Sequence, residues 1–524
     1  MKRMMMTALA WATVSLAALA QTTVFGGNYR IPSILRLADG KVVAFSDYRP
    51  EGGDVGQRAT LQNDIVAKVF DKRWGEEMTL LKAGKHDNGR LFSFGDAATA
   101  YDAQTGRILL MCAYGDVCYW NSTLRDPIGV YRAYFHLDGN TIVKDSAQEV
   151  TREIYPLFHG AVMKTFFTSG RICQSSRPLR PMCPQRLYAS LASNLGAMVV
   201  FSDDFGQTWN ILGGMQVQPA PQGDEAKLVE LPNGDVLLNC RARDADGRYL
   251  NIFHYTNPSR AEGAWEQPVL SADTTTLGLY GARCNGETLV LPVRSVRTGK
   301  RTHLILQSLP FGTDRSRVGI YYKACGEGVQ QVSELATGWR RFDVSKTHSA
   351  YSTMAFNGRD GIALLYEEDL NGPNPDNFNY NIKYVDLPIA QITYGEYLYD
   401  NAGESILAWV IEGAKKVIDL DYQIPVPACV KKAIDEYRSQ NDWFGHFMED
   451  KCETGDGFRE SSSSLYQAYR SYCIDTNEYV RSTADFYFAM ESAGFERVTL
   501  NRKRYFKGVR LRSDVDDAGD DFLT

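Results

Sequence analysis

Short apolar runs, each broken by Gly, Asn or Asp, recur from about residue 30 to about residue 390. Runs of this length bounded by turn residues predict β-strands, and no long stretch of helical periodicity interrupts them. Tryptophans follow turn-like segments at Trp74, Trp209, Trp265 and Trp339. About 360 residues at roughly 60 per four-stranded unit give six units. The pattern therefore predicts an all-β fold, a six-bladed β-propeller.

The pattern changes after Leu387. Apolar spacing predicts helices at 404–418 and 428–440; serines 461–464 open a third helix, and Ser482 opens a fourth that Gly494 ends. From 495 to 512 the residues alternate like a two-stranded ribbon rich in Arg and Lys. Helices followed by a basic ribbon predict a mostly helical, winged-helix-like appendage. The predicted domains are a propeller at 21–390, a linker at 391–403 and a C-terminal domain at 404–524.

The first twenty residues have the composition of a secretory signal peptide. Lys2 and Arg3 precede an apolar run, and Ala18-Leu19-Ala20 forms a small-x-small cleavage site. The run is too short to argue for a membrane anchor, and no later run is long enough to span a bilayer. A buried N-terminal helix is the alternative. We expect a secreted or periplasmic protein that begins near Gln21.

Composition excludes few functions. The chain has 524 residues and a net charge of −6, which gives no indication of nucleic acid binding for the chain as a whole. Ten cysteines permit disulfides without specifying them, although Cys112 with Cys118 and Cys173 with Cys183 are close in sequence. No Cys/His spacing suggests zinc, and no metal or organic cofactor is expected.

The stretch from Asn28 to Asp54 predicts a β-hairpin that reverses at Ala38-Asp39-Gly40, because Asp-Gly supplies the φ > 0 positions of a tight turn. Arg30 enters the first strand, Arg49 leaves the second, and Asp54 follows in a Gly-rich loop. Both arginines are therefore predicted at one rim. A single strand-end arginine is more often a solvated surface charge.

A second motif changes that interpretation. Ser202-Asp-Asp-Phe-Gly-Gln-Thr-Trp209 matches the Asp box, Ser-x-Asp-x-Gly-x-Thr-Trp, at every fixed position. With Tyr-Arg-Ile-Pro at 29–32, it makes the chain resemble the bacterial sialidases (exo-α-neuraminidases) from about residue 24 to about residue 390. The resemblance implies hydrolysis of terminal sialic acids from sialylated glycans, with retention of configuration.

A sialic acid carries a carboxylate, and guanidinium forks bind both of its oxygens in plane. The resemblance places the three arginines of such a site at Arg30, Arg241 and Arg301. Arg243 is the alternative for the second position and Arg297 for the third.

The resemblance also implies the chemical roles. Sialidases use a tyrosine nucleophile, here Tyr351, with Glu225 as its base and Glu367 orienting the first arginine. Asp54 is the predicted acid/base, which requires desolvation to raise its pKa; Asp224 and Asp47 are the alternatives. Arg49 and Asp96 match the pair around the 4-hydroxyl and N-acetyl groups. Trp120 is predicted either beside the leaving glycan or buried in a blade.

Other functions stay open. A sialic-acid-binding lectin would keep the arginines without needing the Tyr/Glu pair, and a trans-sialidase would differ in its acceptor site. Residues 404–512 resemble the C-terminal end of phage and plasmid primase-helicases, although no Gly-x-x-x-x-Gly-Lys-Ser/Thr motif for ATP occurs in the chain. At most, this tail would contact nucleic acid weakly through its basic ribbon; a solvated basic hairpin is the alternative.

Overall fold

A computed structural model describes residues 21–50, 52–57, 63–177, 185–294, 299–358, 360–369, 380–393, 411–415, 417–419, 442–476 and 478–512. The fold is mostly β, and the chain divides into two compact units, Met1–Gly403 and Glu404–Thr524. The predicted signal peptide lies outside the described residues, as do Cys183, Arg297 and most of the two helices predicted at 404–440.

The first unit contains strands β1–β28 in sheets of 12, 6, 5 and 5 strands. We divide the 12-stranded sheet into three and so describe six groups, in which neighbours are antiparallel except that β12 runs parallel to β7. Group 1 contains the second half of β1 (Thr22–Arg36), β2 (Val42–Tyr48), β3 (Asp64–Asp71), β4 (Arg73–Trp74) and β5 (Met78–Leu81). Group 2 contains β6 (Gly84–Lys85), β7 (Leu91–Tyr101), β8 (Ile108–Gly115), β9 (Gly129–Asp138), β10 (Thr141–Glu149) and β12 (Gly170–Arg171). Group 3 contains β11 (Thr165–Phe167), β13 (Cys173–Gln174), β14 (Leu187–Ser193), β15 (Gly196–Ser202) and β16 (Asn210–Ile211).

The remaining groups follow in chain order. Group 4 contains β17 (Gly223–Glu230), β18 (Val236–Ala242), β19 (Arg248–Asn257), β20 (Glu262–Trp265) and β21 (Val269–Ser271). Group 5 contains β22 (Thr288–Arg294), β23 (Arg301–Gly312), β24 (Ser316–Cys325) and β25 (Arg340–Asp343). Group 6 contains β26 (His348–Phe356), β27 (Gly361–Asp369), β28 (Tyr380–Pro388) and the first half of β1. Two one-turn helices, α1 (Thr151–Ile154) and α2 (Val332–Leu335), and the 3-10 turns Tyr119–Asn121, Tyr155–Phe158 and Pro258–Arg260 connect strands.

Strand β1 joins the two ends of this unit. Its first half pairs with β28, from Thr22 opposite Tyr384 to Tyr29 opposite Tyr380. Its second half pairs with β2, as the hairpin prediction requires, and the reversal uses Gly40 at φ 91°. The strand begins at Thr22, so Arg30 lies within β1 and not at its start.

Apolar clusters lie between successive groups. Phe45 of group 1 packs with Leu110 of group 2, and the core continues in the same way through the later groups. A further cluster joins Ile34 of group 1 to Leu365 of group 6. Side chains that alternate between two covered faces are expected of stacked sheets, and they explain the nearly continuous apolar runs in the sequence.

The turn predicted at 202–209 has the expected hydrogen bonds. Asp204 accepts the Thr208 amide through Oδ1 at 2.8 Å, and Ser202 Oγ accepts the amide of Gly206 at 2.8 Å. Gly206 has φ 81°, a conformation that glycine adopts without steric cost. Trp209 is buried, with its ring 5.2 Å from that of Phe167.

In the second unit the order of elements is α3 (Trp443–Lys451), β29 (Cys452–Ser461), α4 (Ser462–Asp475), α5 (Thr483–Ser492), β30 (Arg497–Leu500) and β31 (Lys503–Leu511). The strands form a sheet in the order β29-β31-β30. Ser461 accepts the Ser464 amide and Ser482 that of Asp485, so both serines cap helices.

Cys112 and Cys118 are buried and free, so the disulfide that their spacing permits is not formed. Cys173 is also free. Within the described residues, no helix combines the length and apolar character that crossing a bilayer requires.

Candidate active site

A cavity of about 540 Å³, here called the site pocket, is lined by residues from loops and strands of several groups. Its lining includes eight of the ten predicted site residues: Arg30, Arg49, Asp54, Asp96, Trp120, Glu225, Arg241 and Tyr351. Glu367 lies behind them, fully buried. Arg301 is not part of the lining.

Four strands carry a β-bulge at the residues that enter the pocket. The pairing register shifts between Arg30 and Ser33 in β1, between Gly95 and Ala98 in β7, between Gly223 and Ala226 in β17, and between Ser349 and Ser352 in β26. A bulge adds one residue and re-aims the side chains next to it. These irregular positions therefore present Arg30, Asp96, Glu225 and Tyr351 to one space.

Tyr351, Glu225 and Arg241 form a compact polar cluster. Tyr351 Oη donates to Glu225 Oε2 at 2.6 Å. Arg241 Nη1 donates to the same carboxylate oxygen at 2.7 Å and to Tyr351 Oη at 3.2 Å. Burial, followed by the charge of Glu225, raises the pKa of Tyr351 well above its usual value. The phenol is therefore neutral in the free protein, with a carboxylate positioned to take its proton.

Glu367 connects Arg30 to the same cluster. Its Oε1 accepts from Arg30 Nε at 2.8 Å and from the Ile31 amide at 2.7 Å, while its Oε2 accepts from the Tyr351 amide at 3.1 Å. Ile31 has φ 57°, which is uncommon for a β-branched residue. Glu367 thus holds two bulges together and fixes the Arg30 guanidinium, whose Cζ lies 5.6 Å from the centroid of the Tyr351 ring.

Arg49 is surrounded by carboxylates. It donates to Asp47 Oδ2 through Nη2 at 2.6 Å and to Asp54 Oδ1 through Nη1 at 2.6 Å, and Asp96 Oδ2 lies 3.8 Å from Nη2. Burial raises the pKa of Asp47 to about 6, although Arg49 opposes the shift. Burial and the charge of Asp47 raise the pKa of Asp96 well above its usual value. Asp47, an alternative acid/base, is fully buried against Arg49 and does not line the pocket.

Asp54 differs from the expectation in one respect. Burial acts to raise its pKa, but the positive charges of Arg49 and Arg30 outweigh burial, and the pKa lies below the usual value. Its side chain is 60% exposed at the pocket mouth, so solvent limits the desolvation that the prediction required. The prediction that the pKa of Asp54 is raised is therefore wrong for the protein without substrate.

Arg315, and not Arg301, lines the pocket together with Arg30 and Arg241, so the prediction of Arg301 is wrong in position. Arg301 is exposed, begins β23 and pairs with Arg294. The strand extends about 40 Å at roughly 3.3 Å per residue before it reaches Gly312. Arg315, in the turn that follows, lines the pocket with its Cζ 5.8 Å from the centroid of the Tyr351 ring.

The signal for Arg315 was present in the segment Gly312-Thr-Asp-Arg-Ser316, a turn-like sequence between two apolar runs. Arg315 has φ 59° in the turn. The apolar pattern of a strand does not show which of its two ends faces the pocket, so it could not separate Arg301 from Arg315.

The remaining candidates are placed as follows. Trp120 lines the pocket at 71% exposure, so the alternative of a buried tryptophan is excluded. Arg243 donates to the Ser193 carbonyl at 2.7 Å and is not among the pocket residues, whereas Arg241 lines the pocket. Asp224 lines the pocket beside Glu225. Among the described residues, no group of three or more His, Cys, Asp or Glu side chains is arranged to hold a metal ion.

Comparison with known proteins gives related sequences and a related fold. No protein-family model matches the chain. A sialidase of Paraclostridium sordellii is 25% identical over 398 residues, which cover 70% of this chain and 87% of that protein. A sialidase of Micromonospora viridifaciens is 28% identical over 243 residues, which cover 45% of this chain and 36% of that protein. This chain therefore spans about a third of the second relative.

The intramolecular trans-sialidase of Ruminococcus gnavus, solved with oseltamivir carboxylate, has a similar fold. The TM-score is 0.53 at 16% identity, and the match covers 70% of this chain and 96% of that one. The chain is thus similar in sequence to two sialidases, and its fold is similar to that of a trans-sialidase.

Proposed function

We propose that the protein is an exo-α-sialidase that hydrolyses terminal sialic acids with retention, using Tyr351 as the nucleophile. The observation that carries the proposal is the 2.6 Å hydrogen bond from Tyr351 Oη to Glu225, in a pocket that also contains Arg30, Arg241 and Arg315. Three guanidinium groups suit a substrate that carries a carboxylate. The sialidase relatives are consistent with this substrate class.

A neutral nucleophile suits an anionic substrate. A carboxylate nucleophile would be repelled by the carboxylate on the carbon it attacks, whereas a phenol becomes negative only as it reacts. In the first step, Tyr351 Oη bonds to the anomeric carbon, its proton passes to Glu225, and Asp54 protonates the departing glycosidic oxygen. In the second step, water attacks the same carbon and gives its proton to Asp54, while Glu225 returns a proton to the released Tyr351.

The low pKa of Asp54 in the free site requires that substrate binding raise it. The bound carboxylate would neutralise Arg30, and the glycan would displace water from the pocket mouth. Both effects favour the protonated acid, so Asp54 would gain its proton as the complex forms.

Activity on an aryl sialoside tests the proposal. Wild-type protein should release the phenol, and Tyr351→Phe should fold normally and lose roughly 10³-fold or more of kcat/KM. A 3-fluoro sialosyl fluoride should leave a sialosyl adduct on Tyr351, because ring fluorine slows the second step while fluoride departs readily in the first. An inactive wild type, or an adduct on another residue, would refute the assignment.

We also propose that the six groups of strands are the blades of a six-bladed propeller. The support is that apolar clusters join each group to the next and that β1 pairs with both β2 and β28. Closure of a ring in this way leaves few exposed strand edges. An experimental structure would test the blade count.

Transfer to a sugar acceptor is a second candidate, supported by Trp120, an exposed indole at the pocket mouth where an acceptor ring could stack. Adding lactose distinguishes the two reactions: a transferase would form sialyllactose, whereas a hydrolase would release free sialic acid. A lectin would bind sialosides without turnover, so the activity assay also separates that alternative.

For the second unit we propose a weak nucleic acid contact. We propose that this unit is winged-helix-like. Its elements follow the order helix-strand-helix-helix-strand-strand, and its three strands form one sheet in the order β29-β31-β30. Arg502, Lys503 and Arg504 are exposed at the β30–β31 turn. Helix α5 instead carries Asp485 and Glu491, which disfavours insertion into a groove. DNA binding by the full chain that falls steeply with salt, and that is lost when the three turn residues become alanine, would support the proposal.

We further propose that residues 1–20 direct export, on the composition of that segment. Expression with and without the segment, followed by assay of the medium and the periplasm, tests the location.

A further inference from the structure

A wall of backbone separates the site pocket from a second cavity. We call the segment Gly115–Gly129 the partition, and the cavity of about 940 Å³ on its other side the second pocket. Neighbouring residues at the partition's ends face opposite cavities: Ala113 and Ile128 line the site pocket, while Tyr114 and Gly129 line the second pocket. A ligand that leaves the site pocket over the partition would enter the second pocket.

Hydrogen bonds contact the partition from both sides. Arg90 donates to Asp116 through Nε at 2.9 Å and Nη2 at 2.6 Å, and Nη2 also reaches Asp126 Oδ1 at 3.2 Å. On the other side, Tyr155 Oη donates to the Ile128 carbonyl at 2.9 Å. Both pockets are therefore formed before any ligand arrives, which lowers the entropy cost of binding.

The partition carries two large exposed apolar side chains. Trp120, at 71% exposure, lines the site pocket, and Leu124, at 54%, lines the second pocket. Lys164 Nζ lies 5.4 Å from the Trp120 ring centroid. Apolar groups on a fixed ridge between two polar cavities suit a ligand that offers C–H faces there and hydroxyl groups on both sides.

The second pocket offers both hydrogen-bond donors and acceptors. Arg125 and Arg152 are exposed and make no ion pair with the described part of the chain, while Asp87 and Glu149 supply acceptors. The Tyr114 ring, bonded to His86 Nε2 at 3.2 Å, adds an aromatic surface. A lipid would leave these charged groups unpaired. Sugar hydroxyls both donate and accept, so they match this mixture.

We propose that the second pocket binds the neutral sugar units of the glycan that carries the sialic acid, with the chain crossing the partition at Trp120 and Leu124. The inference rests on the proposed function and narrows its substrate class to sialylated oligosaccharides of several units. Short sialosides would occupy only the site pocket.

The test compares a series of sialosides with one linkage: an aryl sialoside, a sialyl disaccharide, a sialyl trisaccharide and a sialyl pentasaccharide. From the disaccharide to the pentasaccharide, kcat/KM should rise by about tenfold or more, mainly because KM falls. A gain of this size corresponds to the binding free energy of one charge-assisted hydrogen bond. The Arg125→Ala/Arg152→Ala variant should lose most of this gain. For each protein, kcat/KM on the pentasaccharide is divided by kcat/KM on the aryl sialoside, and the two ratios are compared.

Arg73→Ala is the matched control, because Arg73 is an exposed arginine of β4 that lines neither pocket. It should keep the full gain with length. The desialylated tetrasaccharide should inhibit cleavage of the pentasaccharide competitively in wild type and not in the double variant.

The outcomes separate the two proposals. No hydrolysis of the aryl sialoside would refute the sialidase assignment itself. Hydrolysis with no length dependence, or a gain that survives in Arg125→Ala/Arg152→Ala, would overturn the second pocket as a glycan site while leaving the sialidase assignment in place.

Discussion

Glu367 accepts the backbone N–H of Tyr351 at 3.1 Å while its other carboxylate oxygen holds Arg30. The position of the phenol and the direction of the first guanidinium therefore depend on one buried side chain. Glu367 contacts the residues proposed to act on substrate and is itself fully shielded from the pocket.

Replacing Glu367 with glutamine should affect both stability and binding. The change leaves the Arg30 charge buried without its counter-ion, which typically costs about 3 kcal/mol. It also frees the guanidinium, so KM for an aryl sialoside should rise more than kcat falls. Chemical denaturation and Michaelis kinetics measure the two effects.

Glu368→Gln is the matched control for this prediction. Glu368 is also buried and accepts from Ser345 and Thr347, but it contacts none of the proposed site residues. An unchanged KM is expected, with a smaller loss of stability, because Glu368 accepts from neutral hydroxyl groups and its replacement leaves no buried cation without a counter-ion. Equal KM values in the two variants would contradict the positioning role of Glu367.

Arg315→Lys and Arg301→Lys should behave differently. A lysine cannot reproduce the two parallel N–H donors of a guanidinium, so Arg315→Lys should raise KM roughly tenfold or more. Arg301, exposed outside the pocket, should tolerate the change with unaltered kinetics. Kinetics on one substrate decide between the two residues, and a KM effect confined to Arg301→Lys would reverse the placement.

Asp54→Asn should discriminate between leaving groups. A sugar leaves as a poor alkoxide and needs the proton, whereas a nitrophenol leaves without one. The variant should lose about 10²–10⁴-fold on sialyllactose and much less on a nitrophenyl sialoside. Equal losses on the two substrates would argue against Asp54 as the acid.

The lowered pKa of Asp54 should make the stability of the folded protein depend on pH. Because Arg49 and Arg30 lower its pKa in the folded protein against the opposing effect of burial, the interaction stabilises the fold above the unfolded pKa of about 3.9 and is lost as pH falls through the folded value. The Tm difference between wild type and Asp54→Asn should therefore be constant near neutral pH and shrink in strong acid. A difference that grows on acidification would contradict the assigned direction.

Gly56→Ala should disturb Asp54 through the partition. Gly56 has φ +68°, and a Cβ built there lies 2.5 Å from the Cys118 amide nitrogen. The loop that carries Asp54 must then move away from its support. We expect a selective loss on sialyllactose compared with a nitrophenyl sialoside, measured as the ratio of kcat/KM values.

Gly106→Ala is its control, because Gly106 also has positive φ, at +74°, but faces open space. That variant carries the backbone strain without the collision. The ratio of its kcat/KM values on the two substrates should equal that of wild type. If Gly106→Ala also changed this ratio, the effect of Gly56→Ala would be explained by backbone strain and not by the collision with Cys118.

Much of the fold could be predicted from the sequence because the apolar runs and turn residues are local. The reversal at Gly40 and the turn at 202–209 depend on a few adjacent side chains, and both are present. Tyr351 and Glu225 could be placed together only through the resemblance, since 126 positions separate them.

The errors have a common physical origin in long-range geometry. Arg315 was missed because the length of β23 decides which end reaches the pocket, and the sequence pattern does not reveal that length. The pKa direction of Asp54 was missed because it depends on the fields of Arg49 and Arg30 at a solvent-exposed mouth. The contacts of Arg90 leave no local sequence signal, because its two acidic partners lie 26 and 36 positions away.

The bulge in β26 interrupts the pairing of this strand with β27 at the position of Tyr351. Ser349 to Ser352 spans three steps of β26 against two of β27, so deleting one residue between them would restore uninterrupted pairing, leave the pairs on either side unchanged and re-aim the side chains inside the bulge, Tyr351 among them. The corrected ladder would gain hydrogen bonds while the phenol turned away from Glu225. A protein with a regular β26 would therefore lose the contact between Tyr351 and Glu225. Selection for thermal stability alone would act against that contact.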